Sequence, residues 1–578
     1  MKRTIKAAVI GMAGLFLAGI AANAADEDVT SDITESTEWT ADNVYHLRDV
    51  INVEAGATLS IEAGTRIVGY TDVELTDWAG ENRDDSSALV IQVGAKIMAE
   101  GTKDEPIVFT SSHDDGTWRP ANSEWGNLTI LGDAIIADGT ASSGVQDGTC
   151  VDNMEGLPVS EFSEYGGTND DDDSGVLRYV SLRYGGSVIG QANELNGLSL
   201  GGIGRETVFD HIEIMNNIDD GIEIWGGTAQ LKYVSIWNIG DDSFDLDEGF
   251  RGKAQFGLIV QGYGEGTQGS GVGDNCLEMD GGENPNGMQP YANPQLYNFT
   301  VIGQPNGGDN AMSMRDNMRL QVGNSIFMDI GARLISFDES NHNQEMYDAF
   351  HTAHDTYDSS GVDFSGLPYS SMAEFYSDSR SGNWSWVKDS VFYNISDDSD
   401  INWSGTTPAT STTAELGLWD TSKNNVRNAA DMPIVALTRS AAPGQPGGMQ
   451  LVISLDPRPA NDALASVETA PADGFFTPAP YRGAFSPNNN WLEGWTAAAE
   501  YGMLANTGSN PSDPADTDID LTATTFFSTD NGVLYTVEES SDMKSWAPMA
   551  TVEGDGSVMS VTDLEGFDSA KFYRVIAQ

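Results

Sequence analysis

Gly221-Ile-Glu-Ile224 returns along the chain as Ser243-Phe-Asp-Leu246, Cys276-Leu-Glu-Met279 and Ala311-Met-Ser-Met314. A second apolar pattern alternates with it: Tyr179-Val-Ser-Leu182, Tyr233-Val-Ser-Ile236 and Phe299-Thr-Val-Ile302. Ile222 and Phe244 lie 22 residues apart, as do Ile212 and Val234, and Leu198 precedes Ile222 by 24. A fixed period of this length marks a solenoid, in which each unit buries its apolar side only by stacking on the next. The unit is too short for two helices and a turn, and its apolar residues recur with period two. Ile222 and Ile224 then face one way, with Glu223 and Trp225 opposite. Neither a Trp-Asp blade signature nor a leucine-rich ladder is present. The expected fold is all-β: a right-handed parallel β-helix whose interior holds Ile222, Phe244, Leu277 and their counterparts.

Outward from this core, the chain divides by texture. Residues 1–24 read as a signal peptide: Lys2, Arg3 and Lys6, an apolar run from Val9 to Ile20, then Ala22-Asn23-Ala24. Residues 25–45 read as a loose acidic lead-in, and 46–505 as the β-helix. Two insertions interrupt it, a Gly-, Ser- and Asp-rich surface loop near 137–174 and a helix-compatible excursion near 340–380. The Pro- and Ala-rich region beyond 456 is expected to close the last coils. Residues 506–519 have linker composition, and 520–578 read as a small β-sandwich module.

The net charge of −60 repels nucleic acid and anionic membranes and favours divalent cations, a saline habitat or simple solubility. No later stretch is long and apolar enough for a transmembrane segment in the mature chain. Cys150 and Cys276 are the two cysteines; a disulfide and a buried small hydrophobe are both open for Cys276.

The repeats carry a resemblance. Ser174-Gly-Val-Leu-Arg-Tyr-Val180, Asn196-Gly-Leu198, Asp219-Asp-Gly-Ile-Glu-Ile-Trp-Gly-Gly227, Gly240-Asp-Asp-Ser-Phe-Asp245 and Tyr481-Arg-Gly-Ala-Phe485 with Gly494-Trp495 are similar to segments of secreted bacterial β-helix repeat proteins. The resemblance spans roughly residues 45 to 500 and implies export to the medium or the outer surface of a bacterium. It brings no catalytic residues to carry over. The C-terminal module looks like the fibronectin-like β-sandwich tails of exported proteins.

Stacking the repeats predicts an outward column of Ser199, Glu223, Asp245, Glu278 and Ser313, beside a second of Trp225, Asp247, Asp280 and Arg315. Carboxylates about 4.8 Å apart repel by about 3–4 kcal/mol at an effective dielectric near 20. The column must therefore be solvated, protonated, or neutralised by a cation or Arg315. Three readings stay open. One is a hydrated acidic face. Another is a calcium site, with Asp241, Asp242, Asp245, Asp247 and Glu248 as hard oxygen ligands and Asp170 and Asp172 as a second candidate group. The third is an acid–base centre at Asp242, Asp245, Asp280 and Arg315. Glu223, Trp225 and Trp237 are candidate ligand-binding residues, the tryptophans as exposed platforms for sugar rings. His211 is a candidate base or a structural strand histidine. The functional expectation is an exported protein that binds an extracellular glycan or surface protein, with Ca2+ as the one cofactor suggested. A polysaccharide lyase or glycoside hydrolase, and a surface-layer or adhesin component, are the alternatives.

Overall fold

The computed structural model describes residues 25–505 apart from 84, 138–150, 161, 188, 190–194, 263–272, 283–286, 339–341, 357–363, 365–366, 378–381, 404–411 and 442–448, and beyond them five strands between 524 and 577. The signal peptide, Cys150 and the linker fall outside the described residues. Among the described residues no helix is long and apolar enough to cross a membrane.

The first compact unit ends at Ala505 and is a parallel β-helix built of three ladders. One ladder runs through Val50–Val53, Ala88–Ile91, Asn127–Leu131, Leu198–Gly201, Ile222–Trp225, Phe244–Asp247, Leu277–Met279 and Met312–Met314, each strand parallel to the next. The other two ladders share longer strands such as Gly175–Arg183, Val208–Met215 and Gln230–Trp237. These turn a corner at Tyr179, His211 and Tyr233, whose φ values of 49°, 62° and 57° place them in the left-handed region. At the corner their rings stack, with centroids 4.2 Å and 4.3 Å apart.

Period-two alternation does the packing. Ile222, Ile224, Phe244, Leu246, Leu277 and Met279 all join one continuous core. Backbones meet tightly before two successive strands of this ladder: a Cβ on Gly197 would lie 2.4 Å from the Gly221 carbonyl oxygen, and one on Gly221 2.3 Å from that of Ser243. Glycine is therefore required at both, whereas the later coils carry Ser243, Cys276 and Ala311 there.

Three expectations need correction. Residues 25–45 are not a loose lead-in but the first coil: Ala25–Val29 pairs in parallel with Asn43–Leu47, and Ile33 bridges Val53. The inserted segment near 137–174 is, over its described part, more than a surface loop. Its described part forms a short hairpin, Asp152–Asn153 with Glu164–Tyr165, that buries Met154, Leu157 and Tyr165 against the coil face around Trp225. The Pro- and Ala-rich region is a cover along the flank rather than an end cap: residues near Leu416, Leu418 and Val426 complete the core at that end. Ile434, Val452, Leu455, Phe485 and Trp495 pack over Met215, Trp237 and Phe256, and Arg482 donates to the Asp389 and Asn424 carbonyls of the late coils. Glu213, fully buried, accepts the Ala497 and Ala498 amides and anchors this cover.

The second unit has two small antiparallel sheets. Thr524–Ser528 pairs with Val558–Thr562, and Leu534–Ser540 lies between Ala547–Glu553 and Phe572–Ala577.

Candidate functional site

The parallel register places Ser199, Glu223, Asp245, Glu278 and Ser313 in one outward column, in the order expected from the repeats. In the turn before each strand runs a second ladder. The Asn196 side-chain oxygen accepts the Asp220 amide, Asp220 accepts the Asp242 amide, and Asp242 accepts the Asn275 amide. Asn310 continues it by donating to the Asn275 side-chain oxygen.

Column and turn converge on a pocket of about 370 Å³. Glu223, Trp225, Asp241, Asp245, Asp247, Glu248, Asp280 and Arg315 line it from the coils, with Asp219 and Asp220. The hairpin closes one side with Asp152, Asn153, Glu155 and Tyr165. Tyr165 donates to Glu248 at 2.9 Å and packs its ring 6.4 Å from that of Trp225. Arg315 is the one basic lining residue; it donates to Glu278 and Asp280 at 2.7 and 2.9 Å.

So many carboxylates, buried side by side, resist ionisation. Burial first, then the charge of Asp280, pushes the Asp245 carboxyl up to about 7. Burial and Asp274 push Asp241 up to about 6. Burial, reinforced by neighbouring carboxylates, holds Asp220, Glu223, Asp242 and Glu278 well above the ordinary carboxylate range. Burial opposes charge on Arg315, but Asp280 and Glu278 outweigh it and hold its proton more firmly than usual. Asp245 is 5% exposed, and its Oδ1 has no hydrogen-bond partner.

These shifts fix the sign of a pH effect. The folded-state values of Asp245 and Asp241 lie above the unfolded value near 3.9. Their contribution is complete below about pH 4 and is lost as pH rises through roughly 6 to 7. In chelator, the melting temperature is expected to fall between about pH 5 and pH 8, and Asp245→Asn to flatten that fall; an equally steep fall in the variant would refute the assignment.

The structure separates the remaining candidates. Asp242 does not line the pocket but sits behind it, in the turn ladder. Trp237 is fully buried beneath the flank cover, its indole donating to Ser235, so it offers no sugar platform. Trp225 reaches the pocket but is only 5% exposed, not the open ring expected. Asp170 is held bidentately by Arg251 at 2.8 Å, and Asp172 accepts from Ser174, also at 2.8 Å; neither lines the pocket. His211 is sandwiched between Tyr179 and Tyr233 with its Nδ1 on Asp210, a structural setting. Cys276 is a buried core residue.

Asp219, Asp220 and the hairpin residues join the pocket in addition to the columns that the repeats predict. The turn aspartates carried a signal, since Asp219-Asp220 recurs as Asp241-Asp242 one coil later. The hairpin residues follow no period and carried none.

A parallel β-helix with a carboxylate-walled pocket on one ladder is the class that fold and site define. The chain belongs to the family described as pectate-lyase like beta helix domain, which matches residues 31–375, more than half of its length. No curated protein matches it. Among solved structures it is similar to the enzymatically active domain of tailspike protein 2 of bacteriophage CBA120, at 12% identity and a TM-score of 0.20, over 93% of this chain and 68% of that one.

Proposed function

We propose that this is an exported polysaccharide-binding protein whose acidic pocket takes up a divalent cation, calcium by its chemistry, and engages an acidic glycan through it. The observation that carries this reading is the convergence of Asp220, Glu223 and Asp245. Each offers a carboxylate oxygen, and the three oxygens lie within 4.8 Å of one another. Calcium–oxygen distances of about 2.3–2.6 Å allow ligand oxygens across one ion to be about 4.6–5.2 Å apart, so the group has the right dimensions. The unpartnered Asp245 Oδ1 supports the same reading, because a buried carboxylate oxygen without a donor is costly.

Bound calcium would offset two of the pocket's negative charges and bridge to carboxylate or hydroxyl oxygens of a sugar. The chain's own residues do the rest. Asp220 is held in place by the turn ladder, and Asn196 donates to Glu223. Tyr165 fixes Glu248, and Arg315 draws Asp280 and Glu278 together.

A catalytic reading has one supporting observation: a carboxyl near 7 at Asp245 suits proton transfer at neutral pH. Arg315 is a poor base there, since its two carboxylate partners hold its proton. Calorimetric calcium titration, followed by binding of galacturonate and alginate polymers with and without calcium, tests the first reading. Heat on calcium addition and calcium-dependent polymer retention are expected; neither appearing would overturn it. Ultraviolet-absorbing unsaturated products or new reducing ends, abolished in Asp245→Ala, would replace binding with catalysis.

A further inference from the structure

A glycan chain longer than the unit held in the pocket gains affinity from an apolar surface for its ring faces, and the pocket's own aromatic residues are too buried to provide one. Its two aromatic lining residues, Trp225 and Tyr165, are 5% and 2% exposed. Among the residues of the first unit whose side-chain exposure is described, the strongly exposed aromatic side chains are Trp78 at 43% and Phe162 at 48%. The guanidinium of Arg48 lies 5.0 Å from the Trp78 ring centroid. Phe162 has a different address: it belongs to the hairpin that supplies Asp152, Asn153 and Glu155 to the pocket wall.

The hairpin itself is firmly seated. Tyr165, Met154 and Leu157 are buried against the coil face, and the Met154 amide donates to the Ser163 carbonyl. Beside these anchors it leaves Val159 and Phe162 to solvent, 67% and 48% exposed. Phe162 and Val159 thus form a small apolar surface on the same hairpin whose other end walls the pocket. Beside a pocket whose reachable surface is polar, it supplies the complementary contact for an amphipathic ligand, since sugars join polar edges to apolar C–H faces.

We infer that the 152–165 hairpin is the lip of the glycan site, with Phe162 as a stacking platform for a sugar ring next to the unit seated in the pocket. This rests on the proposed function and adds to it a requirement for an oligomeric ligand. The experiment compares tri- and hexasaccharides of galacturonate and of mannuronate, with calcium present, on the intact protein and on Phe162→Ala. The expected result is a hexasaccharide affinity lowered about tenfold in the variant, the scale of one lost aromatic contact. Trisaccharide and calcium affinities should be unchanged, and Phe162→Tyr should restore the hexasaccharide. Equal hexasaccharide affinity in Phe162→Ala and the intact protein would overturn the lip while leaving the pocket reading standing. Failure of the intact protein to bind any of the four oligosaccharides would overturn both.

Discussion

Asp220→Asn is expected to abolish calcium-dependent stabilisation while leaving the coil intact. The reason lies in the turn ladder, where Asn196, Asn275 and Asn310 occupy the equivalent rungs. An asparagine at 220 keeps a side-chain oxygen for the Asp242 amide, so the rung survives. What it loses is the charge that faces Glu223 and Asp245. With calcium at about 100 times its Kd, the intact protein gains ~2.7 kcal/mol of stability by mass action. A loss of affinity on the order of 100-fold, reasonable for one of three carboxylates, leaves about 0.4 kcal/mol. In chelator at neutral pH the variant should melt above the parent, because burial and neighbouring charges disfavour ionisation of Asp220. Thermal melts with and without calcium check both halves. A variant that still responds fully to calcium would remove Asp220 from the site.

The second large effect is expected at Arg251→Ala. Asp170 is 2% exposed and accepts two hydrogen bonds from Arg251, one from Tyr369 and one from the Ile135 amide. The guanidinium also lies 4.3 Å over the Phe375 ring. This one pair thus joins the 152–174 insertion, the coils and the 343–384 excursion. Burial favours a neutral Asp170, and Arg251 overcomes it, holding the carboxyl below its usual range. Without Arg251 a buried carboxylate stands uncompensated, a loss of about 3–5 kcal/mol. Asp170→Asn in the same chain should recover part of it, because the charge is what must be neutralised. Urea unfolding of the single and double variants measures this. A shift no larger than the ~0.5 kcal/mol of an ordinary surface change would show that the pair is dispensable.

The two sites differ in how legible they are in the sequence. Glu223, Asp245 and Glu278 share a column because strand alternation and a coil period place them there. Asp170 reads as a ligand because it sits in an acidic run, whereas in the fold it is a buried ion-pair partner of a residue 81 positions away.

From its sequence alone, then, the chain determines its rod: which residues face inward, which coil follows which, and which carboxylates line up along one ladder. Those relations join nearest neighbours in a repeat, and a period of two within a period of about 22 to 24 specifies them. Tertiary structure alone decided what covers the rod. Trp237 vanished beneath a segment some 200 residues later, the hairpin walled the pocket, and Phe162 was left facing water. Such contacts depend on shape and burial between distant, non-repeating segments, and no local pattern in the chain encodes them.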